Sequence, residues 1–190
     1  KMLDVPMLEP GNFQEAKDMT KWLYDLSEEL DCMVMLRTVA KISHTRGNVT
    51  LGELSINDRT AKFELTPSIP FIDPAHRHAH LHEKLARAQE KFEDSPFNTY
   101  TGPDKPELLI ITCGASYLYT MEAIRILNLQ NQIGVLKLGT IWPMPEKLLE
   151  KHLRNTEQVL FIEEVDPFVE RGVLEMTASL GPTGPRPVFY

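Results

Sequence analysis

Apolar positions begin to recur at helical spacing just after a turn at Pro10-Gly11-Asn12. Asn12 is suited to cap the helix that follows, and Glu15, three residues on, completes a capping-box-like pair. Ala16, Met19, Leu23 and Leu26 form one stripe, flanked by Trp22 and Leu30, which predicts an amphipathic helix over residues 13–30. Asp31 ends it. Residues 32–39 are almost continuously apolar, the pattern of a strand buried on both faces of a parallel sheet. The polar residues 41–47 follow at the carboxyl end of that strand, where open parallel sheets gather ligands.

Residues 48–105 are the least regular part and hold Pro67, Pro70, Pro74, Pro96 and Pro103. They read as a surface linker with one helix, capped by Asp73, opened by Pro74 and running through Leu81, Leu85 and Ala88 to about Phe92. From Pro106 the pattern is clearest. Strands are predicted over residues 108–112, 133–138 and 158–164. Helices lie between and after them, carrying Tyr119, Ala123, Ile126 and Leu127, then Leu148, Leu149 and Leu153, then residues 168–180. The β-α-β-α-β-α order requires right-handed crossovers. The predicted fold class is α/β, with mostly parallel sheets and flanking helices. The closing run, residues 181–187, reads as a loop.

Composition narrows the field. The 190 residues are 42% hydrophobic and 25% charged, the profile of a globular chain. The 20 basic and 27 acidic residues give a net charge of −7, which disfavours a basic groove for nucleic acid. Cys32 and Cys113 stand far apart, so neither a disulfide-rich scaffold nor a CxxC site for zinc or an iron–sulfur cluster is expected. No apolar run approaches the roughly 18 residues of a membrane span, and no apolar region follows Lys1 as in a signal peptide. The cytoplasm is the default expectation. A chain that begins with Lys rather than Met is expected to be a piece of something larger.

Each candidate for chemistry has a plain structural alternative. Gly114, between a strand and a helix, is a single glycine where a dinucleotide fingerprint needs three, so a tight turn is the simpler reading. His76, His78, His80 and His82 make two i,i+4 pairs, a spacing able to hold a metal, but the pairs lie on different faces and no third ligand is defined. A solvated helix start, or adventitious nickel or zinc, is the alternative. Glu163-Glu164 can act as acid and base or cap the next helix. Cys113 precedes a helix, where a thiol pKa can fall, yet no histidine neighbours it and buried packing suits it as well. Ser43-His44 with Arg37 and Arg46 lacks an acid for a triad, leaving an anion clamp or a subunit contact.

Several spaced strings, taken together, resemble the 2-oxoacid:ferredoxin oxidoreductases, and within that family the alpha subunit of the indolepyruvate type. They are Gln14-Glu15-Ala16-Lys17-Asp18-Met19, Leu36-Arg37-Thr38 and Ser43-His44-Thr45-Arg46-Gly47. In the second half they are Ile111-Thr112-Cys113-Gly114-Ala115-Ser116-Tyr117, Leu136-Lys137-Leu138-Gly139-Thr140, Pro143-Met144-Pro145-Glu146-Lys147 and Glu163-Glu164. The resemblance implies three parts. Residues 1–56 would be the tail of a pyrimidine-binding domain, 57–105 a linker, and 106–190 a domain similar to the transketolase C-terminal domain. It also implies an enzyme that oxidatively decarboxylates an aryl 2-oxoacid to an acyl-CoA. That enzyme would use thiamine diphosphate with Mg, coenzyme A, [4Fe–4S] clusters and ferredoxin, and would work with a beta subunit. The G-D-G motif and cluster cysteines of such enzymes have no match here. No catalytic, cofactor-binding or metal residue is therefore expected in this chain, whose part would be structural and which would be inactive alone. The alternatives are a non-catalytic interaction module of transketolase-like fold, or an oxidoreductase of the same family acting on pyruvate or 2-oxoglutarate.

Overall fold

A computed structural model describes residues 4–53 and 74–190 of the chain. Its elements run β1 (Met7–Leu8), α1 (Phe13–Leu30), β2 (Met35–Leu36), α2 (Ala40–His44), α3 (Pro74–Glu93), β3 (Thr99–Thr101) and β4 (Leu108–Cys113). They continue with α4 (Ser116–Leu127), β5 (Ile133–Leu138), β6 (Thr140–Trp142), α5 (Glu146–Leu153), β7 (Gln158–Ile162), α6 (Phe168–Ser179) and β8 (Val188–Phe189). The class is α/β, with most strand pairs parallel. The proposed Asp73 cap lies outside the described residues. None of the described helices is long and apolar enough to cross a membrane.

Five strands form the larger sheet in the order β3-β5-β4-β7-β8. The three predicted strands β5, β4 and β7 are its parallel centre. β4 is buried on both faces, as its unbroken apolar run requires. Leu109, Ile111 and Cys113 pack with Leu149, Val169 and Val173 of α5 and α6, whereas Ile110 meets Ile124 of α4 on the other face. Two short edge strands were not expected. β3, from the proline-rich stretch, pairs antiparallel with β5, and β8, from the closing run, pairs parallel with β7. Neither has enough alternation to be read as a strand, since each is held by a neighbour distant in sequence.

The smaller sheet has the order β2-β1-β6. β1 and β2 pair in parallel across the α1 crossover, and β6 joins antiparallel from the second half of the chain. The predicted buried strand over residues 32–39 shortens to the half-buried pair Met35–Leu36 at the edge of this sheet. Its apolar residues cover α1 on one side only, because no further described strand lies beyond β2. α1 spans the predicted residues, with Asn12 Oδ1 accepting from the Glu15 N–H at 2.9 Å. Its stripe of Met19, Leu26 and Leu30 packs against Leu8, Ala88 and Phe92.

α4 is a helix where expected but presents the opposite face. Ser116, Thr120 and Ile124 point inward, while Tyr119 and Leu127 are 53% and 63% exposed and Ala123 also faces out. Ser116 and Thr120 share the inner side with Ile124, and the Thr120 hydroxyl is satisfied there by the Ser116 carbonyl at 2.9 Å.

Asn98 fastens α3 to the turn between β5 and β6. Its Oδ1 accepts from the Gly139 and Thr140 N–H groups at 2.9 and 3.0 Å, and its Nδ2 donates to the Phe92 carbonyl and the Thr140 hydroxyl, both at 2.8 Å. Asn98→Ala strands these groups and is expected to cost about 1–3 kcal/mol in urea unfolding. Asn98→Asp keeps the acceptor but sets an anion against the Phe92 carbonyl, so it is expected to recover little of that loss.

Candidate functional site

The carboxyl ends of the two sheets face one another. Glu9 follows β1 and Arg37 follows β2, and these strands are parallel neighbours. Cys113 ends β4 and Glu163 follows β7, likewise parallel neighbours. Because β5 and β7 flank β4 on opposite sides, the chain reverses its winding there. The crevice outside the ends of β4 and β7 is thus the switch point at which doubly wound sheets take ligands. Here the chain's own side chains fill it.

Arg37 Nε donates to Glu9 Oε2 at 2.5 Å, and a second guanidinium nitrogen lies 3.8 Å from the Cys113 sulfur. The same guanidinium sits over the Phe168 ring, 4.9 Å from its centre. Cys113 Sγ is 3.9 Å from Glu163 Oε2. Glu163 is itself committed to α6. Its carboxylate accepts from the Phe168, Val169 and Glu170 N–H groups at 3.1, 2.8 and 2.8 Å. That is the capping role set against acid–base work above, and the anion suits the positive end of the helix. A second junction lies beside the first. Lys137 of β5, only 2% exposed, pairs with Glu15 of α1, whose other oxygen accepts from the Gly11 N–H at 3.0 Å.

Electrostatics follow from burial. Glu9 is 2% exposed, and its loss of water raises its carboxyl above the ordinary 4.5 even though Arg37 pulls the other way. Burial pushes the Cys113 thiol far up, with the charges of Glu9 and Glu163 adding to the rise. Cys113 is therefore a packed thiol rather than an activated one. Gly114 needs its left-handed backbone, φ +55°, and a Cβ there would strike the Glu9 carboxylate, so the turn and the ion pair both require glycine. In the next loop Val165 also has positive φ, at +75°, and is 91% exposed, a strained geometry for a β-branched residue.

Other sequence candidates are not drawn in. Ser43, His44 and Arg46 are exposed on and after α2, while Arg37 turns inward to Glu9. The histidine series lies on α3, and among the described residues no group of three or more His, Cys, Asp or Glu is arranged to hold a metal ion. Two cysteines fall short of the four that a [4Fe–4S] cluster takes, and the carboxylates of Glu9 and Glu163 are already occupied. Cys32 and Cys113 do not make a cluster site of their own. Glu9 was missed because it follows an unpredicted two-residue strand. The available signal was Arg37: a cation in an apolar run must meet an acid, which here lies 28 residues away.

No protein-family model matches the chain. A Pyrococcus abyssi protein named indolepyruvate oxidoreductase subunit IorA is 42% identical over 181 residues, covering 91% of this chain and 28% of its own length. This chain is a relative of the indolepyruvate oxidoreductase subunits. The subunit of the same name from Archaeoglobus fulgidus is 38% identical over 93% of the chain, again at 28% of its own length. The chain thus spans little more than a quarter of the IorA subunits it matches. Among solved structures, a 2-oxoglutarate:ferredoxin oxidoreductase from Magnetococcus marinus aligns with TM-score 0.64 at 14% identity, over 97% of this chain and 38% of that one. A split-gene transketolase, an inactive beta4 tetramer, aligns with TM-score 0.55 at 15% identity, over 98% of this chain and 47% of that one. The IorA relatives and both folds agree with the resemblance read from the motifs.

Two measurements check the joint. Between pH 4.5 and the higher folded value, native Glu9 keeps a proton that the unfolded chain releases, so its contribution to stability falls as pH rises through that window. Glu9→Gln removes the titration, and its stability relative to wild type is expected to rise over the same window in urea melts. Parallel curves would contradict the burial-raised carboxyl. With a thiol reagent near neutral pH, half-buried Cys32 is expected to react in the native protein and buried Cys113 only on unfolding. Equal native rates would contradict the packing of Cys113.

Proposed function

We propose that this chain is a structural part of a 2-oxoacid:ferredoxin oxidoreductase that converts an aryl 2-oxoacid, indolepyruvate, to an acyl-CoA. The carrying observation is the IorA relatives, 32–42% identical over about nine-tenths of the chain. In this reading residues 1–56 close a pyrimidine-binding domain, 57–105 link, and 106–190 form the transketolase C-terminal-like domain. Thiamine diphosphate with Mg and the [4Fe–4S] clusters are held by other parts of the full-length enzyme. Coenzyme A, ferredoxin and a beta subunit complete the system, in the cytoplasm.

What this chain's residues do is hold a frame. Glu15–Lys137 ties α1 to β5, while Arg37, held by Glu9 within the first sheet, reaches Cys113 at the end of β4 and lies over Phe168 of α6. The filled switch point leaves the catalytic cleft to form elsewhere, between domains this frame positions. Its support is that both carboxylates at the crevice are already satisfied by the chain itself.

The test uses the full-length subunit assembled with its beta partner. Indolepyruvate-dependent ferredoxin reduction with coenzyme A is expected, and none from the present chain alone. Arg37→Ala leaves a buried acid unpaired, at a cost of about 3 kcal/mol. It is expected to lower the thermal midpoint and the yield of assembled enzyme while leaving the KM for indolepyruvate unchanged. Adding Glu9→Gln is expected to restore much of the yield. Turnover by the present chain alone, or a changed KM in fully assembled Arg37→Ala enzyme, would overturn the structural role. Assembled enzyme that reduces ferredoxin with pyruvate but not with indolepyruvate would overturn the substrate.

A further inference from the structure

The first turns of α3 carry imidazoles where its inner stripe runs past the core. His78, His82, Leu85, Gln89 and Phe92 follow one another at spacings of four and three, so they share one face of the helix. Leu85 and Phe92 are buried and Gln89 Nε2 reaches the Met144 carbonyl at 2.9 Å, whereas His78 and His82 are exposed. The two rings meet each other. Their Nε2 atoms are 2.9 Å apart, their centres 4.3 Å, and their planes cross at 82°. The other i,i+4 pair is not built this way, because His80 turns to Glu83 with Nδ1 3.2 Å from the carboxylate.

We propose that His78 and His82 form a bidentate site for a divalent transition metal, with Cu2+ and then Ni2+ preferred. With metal–nitrogen bonds of roughly 2.0–2.1 Å, two ligands subtending a right angle stand about 2.9 Å apart, whereas a tetrahedral angle separates them by about 3.4 Å. The ring–ring distance matches the right angle, which is the angle of tetragonal Cu2+ and octahedral Ni2+ rather than of tetrahedral Zn2+. Water completes the coordination. In the free pair one Nε2 carries the hydrogen that the other accepts. On binding, that ring moves its proton to Nδ1 and both Nε2 lone pairs turn to the metal, so no proton is lost overall. Glu83 stays with His80, and Lys84 is held by Asp31, so no cation is drawn across the site.

Titration of the purified chain with Cu2+, Ni2+ and Zn2+ in turn tests this, followed by calorimetry and, for copper, electron paramagnetic resonance. One tight equivalent is expected, with Ni2+ bound more tightly than Zn2+ and the copper spectrum split by two imidazole nitrogens. His78→Gln and His82→Gln are each expected to weaken binding at least about tenfold, the loss that even outer-shell changes can cause. His76→Gln and His80→Gln are expected to leave it unchanged. Both positions are exposed, and helical circular dichroism confirms that each variant is folded. Copper binding untouched by His82→Gln, an equal loss in His80→Gln, or Zn2+ bound as tightly as Ni2+ would overturn the assignment.

Discussion

A buried carboxylate has to meet a cation, and in this chain the arginine that answers it also reaches across to the second sheet. Glu9 has almost no contact with water, and Arg37 gives it its partner at the mouth of the larger sheet. Removing ions from water costs several kcal/mol each, so such a pair contributes through specificity of geometry more than through net stability. The rise in the Glu9 carboxyl records the same balance, with desolvation outweighing the arginine. Lys137 and Glu15 repeat the device one strand away. Lys137 thus joins β5 to α1, and Arg37, paired with Glu9, joins the end of the smaller sheet to Cys113 of β4 and Phe168 of α6.

That placement has a chemical consequence. The switch point of a doubly wound sheet is normally an open crevice with helix N-termini aimed into it. Here the N-terminus of α6 is satisfied by Glu163, the crevice is closed by Arg37 over Phe168, and the thiol at the end of β4 is packed rather than exposed. Glu9, Arg37, Cys113 and Glu163 are engaged with one another or with α6 at this joint. Gly114 serves the same end, since a side chain there would displace Glu9. The kinship with IorA subunits over about a quarter of their length is consistent with such a frame within a larger enzyme.

The outer face of the molecule has a different character. α4 shows Leu118, Tyr119, Ile126 and Leu127 to solvent while burying serine and threonine. Tyr119 is engaged only at the surface, under the Lys41 ammonium, 4.5 Å from the ring centre. Beside the buried Ile124, Thr120 is tolerated inside because its hydroxyl donates to the Ser116 carbonyl at 2.9 Å.

The sequence by itself determined the elements whose signals are local. The caps and stripe of α1, the apolar-rich runs of β4 and β5, and the β-α alternation after Pro106 are properties of neighbouring residues, and they survived folding nearly unchanged. The motif strings pointed to the right relatives for a similar reason, because spacing along a chain is visible without its fold. Tertiary structure alone decided what depends on partners far away in sequence. β1, β3, β6 and β8 are strands only because a neighbour's edge completes their hydrogen bonds, and β2 shrank because one side of it has no described neighbour. Which face of α4 turns inward was set by its packing on Ile110 and Val135, not by where its apolar residues fall. The acid that Arg37 required was hidden in the same way: ion pairs are chosen by distance in space, and nothing in the order of residues brings position 9 to position 37 or either of them to position 113.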